Sequence, residues 1–303
     1  MKKSVLSSPR LVELKKKKHQ ILRRKILFFL LLFILITTFL SFFSKWKEVN
    51  INNIVVLGNK VIETKTITDL VNEKITGNYF YFFPKTNFLF FPKNEIIKGL
   101  REKFKRLDNI SLNIKNIKTL EISLSERTAL YTWCGDTLPE LNNLESNITD
   151  KNKCYFMDEN GYIFDEAPYF SDDVYLKFYG KTDVERLESG SPTSEINPSG
   201  SYFLQTNFKK IISFKETIKK LGMKPSAFFA EDNGDAKMFL SSSSASKMGP
   251  SINFKIDFDM NKAIENLQSV LTTEPLQSDF KNKYNSLIYI DLRFGNKVYY
   301  KFR

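Results

Sequence analysis

Eighteen consecutive residues without a charge, Ile26 to Phe43, dominate the hydropathy pattern near the start of the chain. As a helix this run spans roughly 27 Å at ~1.5 Å per residue, which just crosses a hydrocarbon core of about 30 Å. Its backbone amides are then bonded within the segment, as lipid demands. Trp46 stands where an interfacial aromatic belongs, and Lys45 and Lys47 can snorkel to head groups. The run is apolar all round, unlike the one-sided helix of a soluble core. A cleaved signal peptide has a shorter apolar region and small residues before the cut. Phe42, Phe43 and Ser44 do not supply those small residues at both positions. No other stretch is long enough to span, so one transmembrane helix over 26–44 is expected.

After the apolar run, Val49 to Val56 leads into Gly58-Asn59 and predicts a strand and a turn. Ile67, Leu70, Val71 and Ile75 recur at helical spacing within Thr66 to Ile75. The stretch Asn78 to Pro92 is crowded with Phe and Tyr, and Pro84 and Pro92 argue against one helix or a central strand there. Asn94 is placed to cap a second helix reaching about Arg106, with Ile96, Ile97, Leu100 and Phe104 on one face. Ile110 to Ile114 and Leu120 to Leu124 alternate with period two. The order strand, helix, helix, strand, strand lays both helices on one face of a small sheet.

A second part begins near Thr128. Strand-like runs cover Tyr155 to Phe164, Val174 to Tyr179, Phe228 to Ala230, Met238 to Leu240 and Ile252 to Phe258. Two helices interrupt them. One covers about Asn207 to Leu221, with Phe208, Ile211, Ile212, Ile218 and Leu221 apolar, and the other about Asn261 to Leu271, with Ile264, Leu267 and Leu271. Ser189 to Ser201 and Ser241 to Pro250 read as loops. The chain ends in a hairpin pattern, Leu287 to Phe294, a Gly295-Asn296 turn, and Lys297 to Phe302. The fold class is α+β.

The formal net charge is +12. Residues 1–25 hold ten Lys or Arg against one acid, Glu13, a net of +9, and leave +3 for everything after them. The basic excess is therefore a tail, not a groove on a folded domain. Beside an apolar segment it is a topology signal and a contact for anionic head groups. It keeps the N-terminus in the cytoplasm, puts the C-terminal part outside, and removes the reason to expect nucleic-acid binding.

The only histidine, His19, lies in that tail. The outer part thus lacks Ser-His-Asp and Cys-His catalysis and imidazole zinc sites. Two cysteines alone make a poor tetrahedral site, and no glycine-rich phosphate loop is present. No catalytic residue, metal or cofactor is expected. Paired carboxylates remain as glycosidase candidates, Asp158 with Glu159 and Asp165 with Glu166. The plainer reading of the first pair is a solvated hairpin with Asn160-Gly161 at a two-residue turn.

Four short stretches, in order behind the apolar run, carry a resemblance. Ile54-Val55-Val56-Leu57-Gly58-Asn59 resembles the opening strand and turn of a POTRA domain. Thr119 to Arg127 resembles its closing strand, ending in a Glu126-Arg127 pair. Tyr155 to Phe164 resembles a "D-x-x-G-x-x-F" hairpin, and Tyr289 to Phe294 a "Y-x-D-L-R-aromatic" strand. Together they are similar to the bacterial cell-division family FtsQ, called DivIB in some lineages, over roughly residues 26–303. The Phe-rich stretch is longer than that pattern, 190–201 and 241–246 look like insertions, and Thr128 stands where a proline often follows the Glu-Arg pair.

The resemblance implies a cytoplasmic tail at 1–25, a membrane helix at 26–44, a POTRA domain (β-α-α-β-β) at 48–127 and an FtsQ-like β-domain at 128–303. It implies a non-enzymatic scaffold at the division septum. Its partners would be FtsB- and FtsL-like proteins, with other division membrane proteins at the POTRA domain. The last strand has no strand after it, and an open edge takes up a partner strand by β-augmentation. Arg293, Phe294 and Phe302 fill the motif's Arg and aromatic places, within a candidate surface that also holds Lys297, Val298, Tyr299 and Tyr300. Tyr299 and Tyr300 point to opposite faces, so only one joins Phe294. A POTRA-bearing transport component and a carboxylate-dependent wall enzyme are the alternatives. Cys134 and Cys154 flank strand-like runs outside the cytoplasm, where disulfides persist. They are expected to bond if those runs pair, and otherwise to be two buried thiols.

Overall fold

Helical and alternating segments are realised as an α+β architecture. The computed structural model describes residues 9–139, 153–170, 174–187, 197–242 and 248–303. The start of the basic tail, most of the 135–153 loop, the greater part of 189–201 and the serines at 243–244 lie outside them. The chain divides into two compact units, Met1–Lys103 with Leu107–Glu126, and Phe104–Arg106 with Arg127–Arg303.

In the first unit, α1 (Pro9–Ser44) continues the apolar run back through the basic segment. From Lys16 to Ser44 it is long and apolar enough to cross a membrane. The strand expected from Val49 starts only at Asn53. Lys47–Val49 is a 3-10 turn instead. Residues 51–53 are held by single bonds, Ile51 N–H to the Thr86 carbonyl at 2.8 Å, and Asn52 and Asn53 N–H to the Lys118 carbonyl at 3.0 Å. β1 (Asn53–Leu57) pairs parallel with β5 (Thr119–Glu126), which pairs antiparallel with β4 (Leu107–Asn116). α2 (Thr64–Ile75) buries Ile67, Leu70, Val71 and Ile75, and α3 (Lys93–Lys103) buries Ile96 and Leu100. Asn94 does not cap α3 but lies inside it, where the Pro92 carbonyl accepts the Ile96 N–H at 3.0 Å. After β1 the chain turns at Gly58, with φ +91°, where a Cβ would lie 2.0 Å from the Leu124 carbonyl oxygen. The Glu126 carboxylate accepts the backbone N–H groups of Lys60, Val61 and Ile62 at 2.8–3.1 Å and ties that turn down.

The Phe-rich stretch adds a small hairpin between the helices, β2 (Asn78–Tyr79) against β3 (Phe83–Pro84). Its tip is closed by the Phe82 N–H on the Tyr79 carbonyl at 3.1 Å. Phe80 and Tyr81 sit at φ +48° and +63°, the left-handed region. Such a conformation costs an L-residue with a Cβ roughly 1–2 kcal/mol.

The second unit is built on one nine-stranded mixed sheet. Its strands in chain order are β6 (Tyr131–Trp133), β7 (Cys154–Met157), β8 (Ile163–Ala167), β9 (Lys177–Tyr179), β10 (Pro225–Ala230), β11 (Asp235–Leu240), β12 (Ser251–Lys255), β13 (Leu287–Phe294) and β14 (Lys297–Phe302). They lie side by side as β14-β13-β12-β11-β10-β9-β6-β7-β8. The pairs β12–β13, β9–β10 and β6–β9 are parallel. α5 (Phe208–Lys220) and α6 (Met260–Leu271) contribute Phe208, Ile211, Phe214, Ile218, Ala263 and Leu267 to one core with Phe178, Phe228, Ile252, Phe254 and Ile290. The sequence predicted two helices here, and the described residues hold four. α4 (Asp183–Leu187) starts on a reciprocal cap, in which Glu185 accepts the Thr182 N–H at 2.6 Å. α7 (Leu276–Lys283) buries Leu276 and lays Phe280 against the core.

The β7–β8 hairpin departs from the two-residue turn. Met157 pairs with Ile163, so the loop is longer, and Gly161 carries the positive φ of +77°. Asp158 is not solvated. It is 5% exposed, its Oδ1 accepts the Asn160 and Tyr162 N–H groups at 2.8 and 3.0 Å, and its Oδ2 pairs with Arg127. β6 and β7 pair antiparallel with Trp133 opposite Tyr155. One step on, Cys134 and Cys154 are joined by a disulfide, their Cα atoms 4.1 Å apart.

Candidate functional site

The two edges of the nine-stranded sheet differ. Along β8, the Ile163 N–H donates to the Ser201 carbonyl at 2.9 Å and the Gly200 N–H to the Ile163 carbonyl at 2.7 Å. Tyr162 and Tyr202 form a further bridge. The segment 199–203 therefore covers that edge. At the other end, β14 is last in the order, and no described strand lies beyond it. An edge strand leaves alternate N–H and C=O groups without a ladder partner. The feature that can bind another chain is thus backbone first and side chain second.

The side chains of β14 alternate. Val298, Tyr300 and Phe302 are partly buried and pack against the core, while Lys297, Tyr299 and Lys301 are exposed. Tyr299 is the tyrosine that joins Phe294. Their rings meet edge to face at 5.2 Å, and they are 49% and 54% exposed. Phe302 lies on the other face, 6.0 Å from Tyr300, so Phe294 and Phe302 do not form one surface. Tyr300, Val298 and Phe302 anchor the strand to its own domain. Ile288, exposed at the bulge in β13, is an apolar side chain at this end of the sheet that the alternation did not single out.

Arg293 is engaged within the domain. Its Nε lies 2.9 Å from Asp291 Oδ1, its Nη2 2.6 Å from Asp291 Oδ2, and its Nη1 2.6 Å from Asp235 Oδ2. The hydrogen bonds to Asp291 and then Asp235 hold its pKa above the ordinary arginine value, against the opposing effect of burial. The guanidinium clamps β13 to β11 and also lies 5.8 Å from the Phe294 ring. Asp291 and Asp235 are members of the site that sequence reasoning missed. Asp291 was legible, since residues two apart on a strand share a face.

No protein-family model and no curated protein matches the chain.

Beside the β13–β14 turn is a shallow depression of about 160 Å³, lined by Lys255, Asp259, Lys262, Asn266 and Arg293 among others. Small-molecule sites commonly hold ~300–1,000 Å³, so its size fits a turn-side cleft better than a substrate pocket. Among the described residues no three His, Cys, Asp or Glu side chains gather in a metal-binding group.

Proposed function

We propose that this chain is a membrane-anchored, non-enzymatic scaffold of the bacterial division machinery, of the FtsQ/DivIB kind. In this reading α1 crosses the cytoplasmic membrane with its basic end inside, the first unit is the POTRA domain, and the second is the β-domain. The chain works at the septum by holding FtsB- and FtsL-like partners. The observation that carries the reading is the edge of β14, beyond which no described strand lies, with the Phe294–Tyr299 pair on its outer face, in a sheet whose other edge is covered. Main-chain bonds along β14 supply affinity, and the aromatic pair supplies the anchor that such contacts concentrate in. The engagement of both Asp158 oxygens supports the non-enzymatic reading, because that carboxylate closes a turn and pairs with Arg127.

The test is co-purification of the full chain with the FtsB-like partner. Replacing Phe294 and Tyr299 together by Ala removes exposed rings, so the melting curve should hold while the partner is lost. Phe302→Ala should act the other way, lowering the melting point with less effect on binding. A folded Phe294→Ala/Tyr299→Ala chain that still binds the partner would remove the site from this edge.

A further inference from the structure

The 15 residues Asn78 to Pro92 hold six Phe, two Tyr and one Leu against a single charge, Lys85. Phe80 is 85% exposed and Tyr81 90%, with Phe82, Leu89 and Phe90 also more than half exposed. Isolated exposed apolar residues need no explanation, but five within fifteen residues do. The tip adds a second oddity. A turn with positive φ at both central residues favours Asn-Gly or Gly-Gly, and here it holds Phe80 and Tyr81. Strained backbone that presents two aromatic rings outward is unfavourable twice over in water. Outliers of this kind concentrate at working sites.

The hairpin is also fastened to the end of α1. Ser41 Oγ donates to the Phe82 carbonyl at 2.9 Å. Asn87 Nδ2 lies 3.3 Å from the Ser44 carbonyl and 3.2 Å from Ser44 Oγ. Thr86 Oγ1 donates to Asn50 Oδ1 at 2.7 Å, and the Phe88 N–H to the Val49 carbonyl at 3.2 Å. Ser41, Ser44 and Asn87 are all buried in this joint. Ser41 lies within the uncharged run, three residues before the helix ends. At ~1.5 Å per residue, the Phe82 carbonyl meets α1 about 4–5 Å before its last residue. The hairpin therefore meets α1 level with Ser41, within the apolar segment and not beyond it.

We propose that the aromatic hairpin Tyr79–Phe91 is a second membrane contact, seated in the outer interface of the bilayer that α1 crosses. The occupant is phospholipid. Aromatic rings favour the head-group boundary, and lysines at its rim reach phosphate. Lys85, held 5.4 Å over the Tyr79 ring and 4.0 Å from Glu95, lies within the stretch and Lys93 just after it, as Lys45 and Lys47 lie just after the apolar run. One helix alone lets the domain it carries swivel. A helix and a wedge sharing hydrogen bonds fix how the first unit stands on the membrane. The inference rests on the reading of α1 as a span, and the experiment separates the two.

The full chain is reconstituted in vesicles of neutral and anionic phospholipid with a small fraction bearing a diazirine in the acyl chain. After illumination, lipid adducts are mapped by peptide mass spectrometry. Adducts are expected on 26–43 and on 79–91, but not around Val61, which is exposed beyond the far end of β1. Adducts on α1 with a bare hairpin would overturn the inference and leave solvent or a protein as the neighbour of these rings. A chain bare at both places would overturn the span and the inference with it. The double variant Phe80→Asn/Tyr81→Gly suits the turn better than the native residues, so folding is preserved. It should cut hairpin adducts at least threefold with α1 labelling unchanged, and undiminished hairpin labelling would count against the proposal.

Discussion

Replacing Arg293 by Ala distinguishes a clamp from a partner anchor. The guanidinium bonds both oxygens of Asp291, which is only 5% exposed, and one oxygen of Asp235. Losing one member of a buried pair strands the other and costs roughly 3–5 kcal/mol. The Arg293 side chain is 29% exposed, so water screens part of that, and about 2–3 kcal/mol is the reasonable expectation. In domains of this size each kcal/mol moves the melting point by about 2–4 °C, which predicts a fall of about 4–12 °C. Thermal unfolding followed by near-ultraviolet circular dichroism reads it. Arg293→Lys should recover only part, because an ammonium cannot make the forked contact with Asp291. Arg293→Ala combined with Asp291→Ala should cost less than the sum of the two, since the stranded carboxylate is gone. The pKa of Arg293 is raised in the fold, so its contribution is complete below the ordinary arginine value and is lost only above it. The effect should therefore be flat between pH 6 and 9. An Arg293→Ala chain that melts with the parent yet fails to hold the partner would refute the clamp and return Arg293 to the binding surface.

Two further outcomes follow from local geometry. Cys134 and Cys154 are 20 residues apart, and closing a loop of that length stabilises by about 3 kcal/mol in the chain-entropy model. Cys134→Ser with Cys154→Ser should lower the melting point of the second unit by about 6–12 °C, and two titratable thiols in the unreduced native chain would contradict the bond. Tyr284 donates to the Ser241 carbonyl at 3.1 Å, and burial raises its pKa above 10. Its share of stability is thus complete below pH 10 and lost as pH rises through the raised value. Tyr284→Phe should make the alkaline fall in melting point shallower but not flat, since burial raises Tyr131 and Tyr162 as well; an unchanged slope would sink the assignment.

Much of the fold was legible because its elements are long enough to show a period. α2, α5 and α6 repeat apolar residues at three and four, and β4 and β5 alternate. What was missed is short or non-local. α4 spans five residues, too few for a helical pattern, although Thr182-Asp183-Val184-Glu185 is a capping-box sequence that announces a helix start. Leu276 and Phe280 of α7 and Tyr284 just after it stand four apart, but polar residues and Pro275 break the pattern around them. The turn after Met157 reads as Asn160-Gly161 by composition, yet Asp158 captures two backbone N–H groups and extends the loop. The parallel pairs β12–β13, β9–β10 and β6–β9 join strands separated by helices or by other strands, and alternation within a strand says nothing of its neighbour.

At the candidate site, alternation established that Tyr299 and Tyr300 face opposite ways but not which faces out. That follows from register. Tyr299 lies opposite Asp291 and Tyr300 opposite Ile290, which is fully buried. The same register sends Phe302 inward and leaves Lys297, Tyr299 and Lys301 along the outer face. The two lysines bear on whether that edge would pair with a second copy of itself. An antiparallel pairing of two copies centred on Tyr299 would set Lys297 of each opposite Lys301 of the other, and like charges directly across a ladder are destabilising. Lysine on an edge strand is a known guard against such association. A partner strand with acidic or neutral residues at those two places meets no such repulsion and still finds the backbone groups and the Phe294–Tyr299 pair. On this reading the edge is selective: its backbone invites a strand, and its charges reject a copy of itself.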